Sequence, residues 1–575
     1  MRSSSGDPTA SKSPLRVVLP IIVAIAVVAA VVIVVVTSGD DTTAKTPSST
    51  TVAGAAGANS VADIDYPAGV LPYAKAKQLG TEAKTDWGKR CDTTTGKLAL
   101  PLFPQQPCFA PFTGDNGGAT TAGVTGETIK VIVYLPQPND PVLKFVYSQI
   151  NNDDTVDQVF QTYQSFNTMF SHYYETYGRK VELVRFDASG TVADPVAAIA
   201  DAEAIAATAP FMVFGGPLLT NAFADTLAKR KVMCVSCTPS QPTDWYAQRA
   251  PYVWDIQKDQ IENQTLASEF IGKELAGHPA SHAGDPALTT KPRVFGYIHV
   301  KGSDNSQLLE DAFVKSLKAY NVEFARIETY ELPTELGGTG RDMITRMKEA
   351  GVTTVVFSGD PLAPQTLTSI ATDQQFFPEW VVTGTVLVDT AAFSRTYDPK
   401  QWAHAFGVSN LFARVDPTTA GSVYLHNWYY GTPPAAAKTS TVSLPNLQFL
   451  YNPLQGAGPK LTPDSFRTTL FTAPIVKSTS VSPQISYGNR GIWPTTDYTG
   501  LDDQTLIWWD PAATGPDELN RQGTGLWRYV DGGKRYLPGQ FPTTEPKFFD
   551  PAKTVTIFDE PPPEAKISAD YVPLK

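Results

Sequence analysis

The chain is expected to fold as two doubly wound α/β lobes, each a parallel sheet covered by helices, joined by a multi-strand hinge and preceded by one transmembrane helix. Three observations predict this. Strand-like and helix-like stretches alternate in the order β-α-β-α-β-α-β from about residue 128, the signature of a helix-covered parallel sheet. The same order restarts near residue 293. Matched segments also recur: "KVELVRFDAS" (180–189) answers "NVEFARIETY" (321–330), "FMVFGGP" (211–217) answers "TTVVFSGDP" (353–361), and "KVMCVSC" (231–237) answers "EWVVTGT" (379–385). Val181 to Val213 spans 32 positions and Val322 to Val356 spans 34, so order and spacing both match and mark a duplicated unit.

In the first unit a strand is predicted over 129–135. A helix follows, with Val159, Phe160, Tyr163, Phe166, Phe170, Tyr173 and Tyr177 at three- and four-residue spacing and Gly178 as its stop. After the strand "KVELVRF", Asp194 as N-cap with Pro195 at N1 announces a second helix. "FMVFGGP" is a strand, 221–230 a helix, and "KVMCVSCTP" another strand. A crossover at 251–277 leads to the strand "PRVFGYIHVKG". Asp304 and Gln307 then form an expected capping box for a helix bearing Leu308, Leu309, Phe313, Leu317 and Tyr320. "RDMITRMKEAG" is a helix stopped by Gly351. Beyond the second unit, Thr462 as N-cap and Pro463 at N1 open a helix in a segment expected to recross to lobe one, with a hinge strand near 406–412. The expected layout is an N-terminus 1–16, a membrane anchor 17–36, a linker 37–60, a preamble 61–127, lobe one 128–255, crossover and lobe two 256–405, return 406–483 and an extension 484–575.

Composition narrows the function. With 575 residues, 42% of them hydrophobic, the chain can bury two sizeable cores. A net charge of −11 with no basic block in the folded part argues against nucleic-acid binding. Residues 17–36, "VVLPIIVAIAVVAAVVIVVV", carry no charge over 20 positions, enough to cross a bilayer as one helix. Arg2, Lys12 and Arg16 precede it and Asp40 and Asp41 follow, so the short N-terminus is expected in the cytoplasm and the rest outside, on an uncleaved signal anchor. An oxidising exterior favours a disulfide between Cys91 and Cys108, which enclose a loop of turn residues. Cys234 and Cys237 lie in an apparent strand, where i and i+3 stand about 10 Å apart. They are expected to be buried or pocket-edge thiols, since a disulfide needs Cα atoms within about 7 Å.

Ligands of open parallel sheets bind beyond the carboxyl ends of the strands, where loops and helix N-termini offer unpaired N–H groups. Those ends are 137–140, 215–221 and 237–240 in the first unit, and 301–305, 358–361 and 383–385 in the second. They supply Gln137, Asn139, Pro217, Leu218, Thr220, Asn221, Cys237, Thr238 and Ser240 on one side. Ser303, Asp304, Asp360 and Thr385 stand on the other, a set suited to hydrogen-bonding a small polar molecule in a cleft.

"GVTGETIKV", "GGPLLTNAFADTLAKRKV", "PRVFGYIHVKG" and "AGPKLTPDSFRTTLF" have the cadence of one family. The chain resembles, over roughly residues 120–545, type I periplasmic binding proteins, specifically the branched-chain amino-acid-type substrate-binding proteins of ABC transporters. The preamble "GDNGGATTAGVTG" and the long tail are similar to an actinobacterial-looking branch. The resemblance implies an extracytoplasmic, monomeric receptor that passes a small solute, an amino acid or related compound, to an ABC permease. It further implies that positions near Thr220 and Asn221, and Cys237, Thr238 and Ser240, hold a ligand carboxylate. Asp304 and Asp360 would face them from lobe two. The chain departs from amino-acid binders near Val386, where an acid is usual and the next acid is Asp389; Asp360 is then expected to take the ammonium contact.

No cofactor, metal or catalytic motif is present: the six histidines form no H-E-x-x-H, and there is no G-x-S-x-G and no P-loop. An enzyme is not expected. The rival reading is a membrane-anchored ligand-sensing or surface-interaction protein using the same fold without transport. Trp493, Trp508, Trp509, Trp527, Tyr529 and Tyr536 in the tail are expected to form the core of a loop-rich extension rather than a carbohydrate platform.

Overall fold

Each sheet grows from a run of β-branched and aromatic residues long enough to be buried on both faces. The computed structural model describes residues 60–301, 305–331, 333–385, 387–567 and 569–575, all within one compact unit, Gly54–Lys575. The anchor expected at 17–36 lies outside the described residues. Among those residues, no helix is long and apolar enough to cross a membrane.

A small hairpin of β1 (Cys91–Asp92) and β2 (Lys97–Leu98) precedes the lobes. Lobe one contains β3 (Thr128–Leu135), β4 (Lys180–Asp187), β5 (Met212–Phe214), β6 (Met233–Val235) and β7 (Val253–Trp254), all parallel in the order β4-β3-β5-β6-β7. Lobe two contains β8 (Phe295–Val300), β9 (Phe324–Tyr330), β10 (Thr354–Ser358), β11 (Glu379–Thr383) and β12 (Ala405–Ser409) in the order β9-β8-β10-β11-β12. Both sheets follow the same second-first-third-fourth-fifth order, so the sequence repeat is a repeat of topology.

Several helices start at side-chain caps. Asp194 accepts from the Val196 and Ala197 amides ahead of Pro195–Ala207, and Thr155 and Gln158 form a capping box for Val156–Ser171. That second helix ends at Ser171, about two turns before the predicted stop at Gly178. Tyr173, Tyr174 and Tyr177 continue the buried stripe from turns instead. The helix expected to be capped by Asp304 runs Ser306–Lys318 with Asn305 at its N-cap, while Asp304 lies outside the described residues.

The structure corrects three expectations. The strand foreseen as a hinge crossing near 406–412 is β12, the fifth strand of lobe two, paired parallel to β11 through Trp380 and Ala405. The second sheet is mixed, because the tail supplies antiparallel strands β13 (Gln504–Pro516), β14 (Gln522–Tyr529) and β15 (Arg535–Tyr536). Outside these strands the tail is largely loop, and its aromatics, Trp493, Trp508, Trp509, Trp527, Tyr529 and Tyr536, are buried as expected. Thirdly, Cys234 and Cys237 are disulfide-bonded with Cα atoms 5.9 Å apart. Ser236 adopts φ +51, so the strand stops at Val235 and the chain turns back between the two cysteines. Cys91 and Cys108 are also bonded, with Cα atoms 5.6 Å apart.

After β12 the chain returns to lobe one through Gly421–Tyr430, Ser440–Ala457 and Pro463–Thr472. Leu447, Leu450, Tyr451 and Phe466 from these helices join Phe166, Phe170 and Val213 in one core. Trp254, wholly buried, is ringed by Phe449, Phe471, Tyr487 and Tyr498, locking β7 to the returning helices and to the last crossing.

The centre of lobe two depends on one glycine. Gly407 in β12 has φ +149, and a Cβ there would stand 2.1 Å from the Val382 carbonyl oxygen in the neighbouring strand. Because that obstacle is backbone, Gly407→Ala is expected to lower stability by about 3 kcal/mol or more. Urea unfolding checks this; a loss under about 1 kcal/mol would mean β11 and β12 can separate at little cost.

Candidate functional site: the cleft between the lobes

The lobes are joined by three crossings, at 255–259, 410–420 and 473–503, and one side chain ties all three. Asn263, in the helix Gln260–Phe270 that follows the first crossing, donates to the Thr383 carbonyl at 3.0 Å. Its Oδ1 accepts from Asn410 at 2.6 Å and from Gln504 at 2.8 Å. These amides are buried, so their exchange of hydrogen bonds holds the crossings in a fixed register.

The carboxyl ends of the two sheets face each other. Asn305, after β8, donates to Gln241 Oε1, after β6, at 2.7 Å across the gap. The helix Pro141–Gln149 after β3 leads to Ile150, which packs into the lobe-two core beside Val388 and Leu362, and the Arg521 guanidinium donates to the Ile150 carbonyl.

The lobe-one loops form one network. Buried Asp140 caps the helix Pro141–Gln149 through the Val142 and Leu143 amides and also accepts from Val192 N at 2.8 Å. The Val192 carbonyl in turn accepts from Leu219 N. Gly216 is required where β5 ends, because a Cβ would lie 2.5 Å from the Cys237 carbonyl oxygen. Here Pro217 is buried, Leu218 is exposed on the rim, and Thr220 Oγ1 accepts from Ala222 N. Asn221 donates to Asp225, Gln137 donates to the Ser189 carbonyl, and Asn139 is exposed. Ser240 donates to the Lys258 carbonyl. Cys237 is held in its disulfide, while the Ser236 and Thr238 hydroxyl oxygens beside it are buried with no hydrogen-bond partner. A buried hydroxyl with no partner is costly unless a further molecule supplies one.

In lobe two, Ser303, Asp304 and Val386 lie outside the described residues. Asp360 is committed: Oδ2 accepts from the Tyr330 hydroxyl at 2.6 Å, and Oδ1 accepts from Leu362 N and Ala363 N at 2.8 and 3.1 Å. It opens the helix Ala363–Asp373, and both its oxygens are engaged. Thr385 donates to the Gly359 carbonyl at 3.2 Å, and the Ser358 and Thr383 hydroxyls meet at 2.6 Å. The uncommitted acid is Asp389, in the loop after β11, which is buried with Oδ2 unpartnered. Burial pushes its carboxyl up to about 7, against a hydrogen bond from Ser409 that opposes the rise.

Sequence reasoning thus found the loops but not every group. Gln241 lies one residue past the expected loop, Ser236 was hidden inside an apparent strand, and Asp389 was noted only as the next acid in the chain. Among the described residues, no group of three or more His, Cys, Asp or Glu side chains could hold a metal ion.

Two α/β lobes of one repeated topology, hinged by three crossings with facing strand ends, are the architecture that the resemblance to type I periplasmic binding proteins implies. No family model matches the chain, and no curated protein does. Solved structures similar to it include solute-binding proteins of ABC transporters. A Leu-, Ile-, Val-, Thr- and Ala-binding protein from Brucella ovis is 13% identical with a TM-score of 0.49, over 73% of this chain and 98% of its own. A fatty acid ABC transporter substrate-binding protein from Thermomonospora curvata is 14% identical at 0.48, over 75% and 100%. An R. palustris solute-binding protein in complex with 4-hydroxybenzoate is 16% identical at 0.48, over 69% and 97%. Each of the three leaves at least a quarter of this chain without a counterpart.

Proposed function

We propose that the protein is an extracytoplasmic solute receptor. It captures a small polar molecule, an amino acid or related compound, between its lobes and delivers it to an ABC-type permease. The observation that carries this reading is the pair of facing strand ends, bridged by Asn305 and Gln241, each with buried polar groups left unpartnered. On lobe one the Ser236 and Thr238 hydroxyls are donors suited to a carboxylate. On lobe two the Asp389 carboxylate suits an ammonium or hydroxyl, in place of Asp360, whose oxygens are occupied. A ligand that satisfies both walls favours the closed arrangement, because it gains its second set of contacts only there.

Thermal-shift screening of the purified chain against amino acids, amides, short-chain acids and sugars tests this. A solute at about 100 times its Kd stabilises the folded state by about 2.7 kcal/mol and raises the melting point. Thr238→Val and Asp389→Asn are each expected to weaken the response at least about tenfold, since each leaves a ligand group unpaired in a buried site. A full panel without a shift would overturn the reading; a shift unchanged in both variants would move the site elsewhere.

A further inference from the structure

The first and third crossings run side by side. Asp255 N donates to the Tyr498 carbonyl and Gly500 N to the Gln257 carbonyl. Six buried carboxyl groups gather along them, Asp255, Asp259, Glu262, Asp497, Asp502 and Asp503, against two buried cations, Lys258 and Arg535. Most are fully served. Asp503 is paired with Arg535 and accepts from Gln484 N, and Asp502 accepts from Ser486, Gln484 and Trp493. Asp259 accepts from the Thr243 hydroxyl and Glu262 N, and Asp255 from Gln257 N and the Tyr246 hydroxyl. Lys258 donates to the Leu501 carbonyl.

Glu262 and Asp497 are different. Glu262, on the first turn of Gln260–Phe270, has Oε1 unpartnered and Oε2 3.2 Å from Thr499 Oγ1. Asp497 has Oδ2 unpartnered and Oδ1 2.8 Å from the same Thr499 Oγ1, as well as 2.7 Å from Thr499 N. A hydroxyl carries one hydrogen and can donate to only one of two acceptors. With both carboxyls ionised, one oxygen would face the hydroxyl's lone pairs and a second negative charge in a dry site. Two carboxyls on one hydroxyl need one more proton.

We propose that the hinge is a proton-binding site: one proton is held on Glu262, donated to Thr499, whose hydroxyl donates in turn to ionised Asp497, and its loss at alkaline pH loosens the first crossing from the third. The groups facing the pair agree with this. Burial, then Asp259 and Asp497, push the Glu262 carboxyl well above its usual range, with Lys258 opposing. Burial, then Asp502 and Asp259, do the same to Asp497, while the Thr499 amide and hydroxyl oppose. The Tyr487 hydroxyl also faces Asp497 and is itself pushed up, first by burial.

A carboxyl raised on folding gives stability that is complete below its unfolded value near 4.3 and is lost as pH rises towards its folded value. The full-length wild type and Glu262→Gln, whose carboxamide donates to Thr499 but cannot ionise, are compared by denaturant unfolding between pH 5 and 9. The wild type is expected to lose stability relative to Glu262→Gln by about tenfold in the folding equilibrium constant per pH unit, until the proton leaves the folded state. Asp497→Asn keeps the Oδ1 acceptor but removes the charge, so Glu262 should then ionise at lower pH and the loss should level off earlier. Parallel pH profiles for the wild type and Glu262→Gln overturn the proposal. Should Glu262→Gln not fold, an unmoved break point in Asp497→Asn overturns it equally.

Discussion

Replacement of Arg293 by alanine is expected to cost about 3–5 kcal/mol, the range seen when one partner of a buried ion pair is removed and the other is left uncompensated. Arg293, just before β8, is bidentate to Glu379 at the start of β11, at 2.8 and 2.9 Å, and neither side chain is exposed. The same guanidinium reaches Glu545 in the tail at 2.6 Å and the Leu275 carbonyl at 3.2 Å. Glu379 also accepts from Thr354 and from His282 N, so β8, β10 and β11 and the tail all rest on one charge. Lysine would keep the charge but lose the planar fork, and Arg293→Lys should recover only part of the loss. Urea unfolding at neutral pH measures both; a loss for alanine under about 1 kcal/mol would show that water reaches the pair.

Removal of residues 561–575 is expected to release the two lobes from each other. The tail leaves lobe two where the Phe548 ring packs at a tilt on Phe406 and Phe549 on Trp508, and Tyr529 pairs with Val555. It then crosses to lobe one. Tyr571 donates to Asp92 and accepts from Gln105, its carbonyl accepts from the Trp428 indole, and Leu574 N donates to the Tyr173 hydroxyl. Lys575 donates to the Tyr429 carbonyl and lies over the rings of Tyr429 and Tyr430. At about 1 kcal/mol for each of these five bonds, the strap contributes on the order of 5 kcal/mol to holding the lobes as they stand. The truncated chain should show a larger radius of gyration by X-ray scattering and a faster release of any bound solute. Identical scattering curves would mean that the three crossings alone hold the lobes.

Much of the fold was legible in the sequence because its signals are local. The strands of both repeats are apolar runs with turns at fixed spacing, and Asp194, Thr462 and Gly351 mark helix ends by chemistry that depends on neighbouring residues. The site was legible only as loops. Asp360 read as a free acid in "SGDP", yet its oxygens belong to Tyr330, thirty residues earlier in the chain, and to a helix start. Asp389 read only as the next acid in the chain, yet the loop after β11 leaves it buried with Oδ2 unpartnered. Ser236 and the two cysteines around it looked like strand because apolar composition does not show a single residue with positive φ.

What the sequence by itself determined is the repeated unit: which segments are strands, which are helices, in what order, and so where the carboxyl ends must lie. Periodicity and capping suffice for that, since each acts within a few residues. What only the tertiary structure decided is everything set by meetings between distant segments. It put β13, β14 and β15 on the edge of the second sheet, tied three crossings through Asn263, placed Asn305 opposite Gln241, and set Glu262 and Asp497 on one hydroxyl. Those pairings are about 60 to 240 positions apart in the chain, and no local rule sees them. They follow from packing two closed cores against each other with their buried polar groups partnered, which is a condition on the whole molecule rather than on any stretch of it.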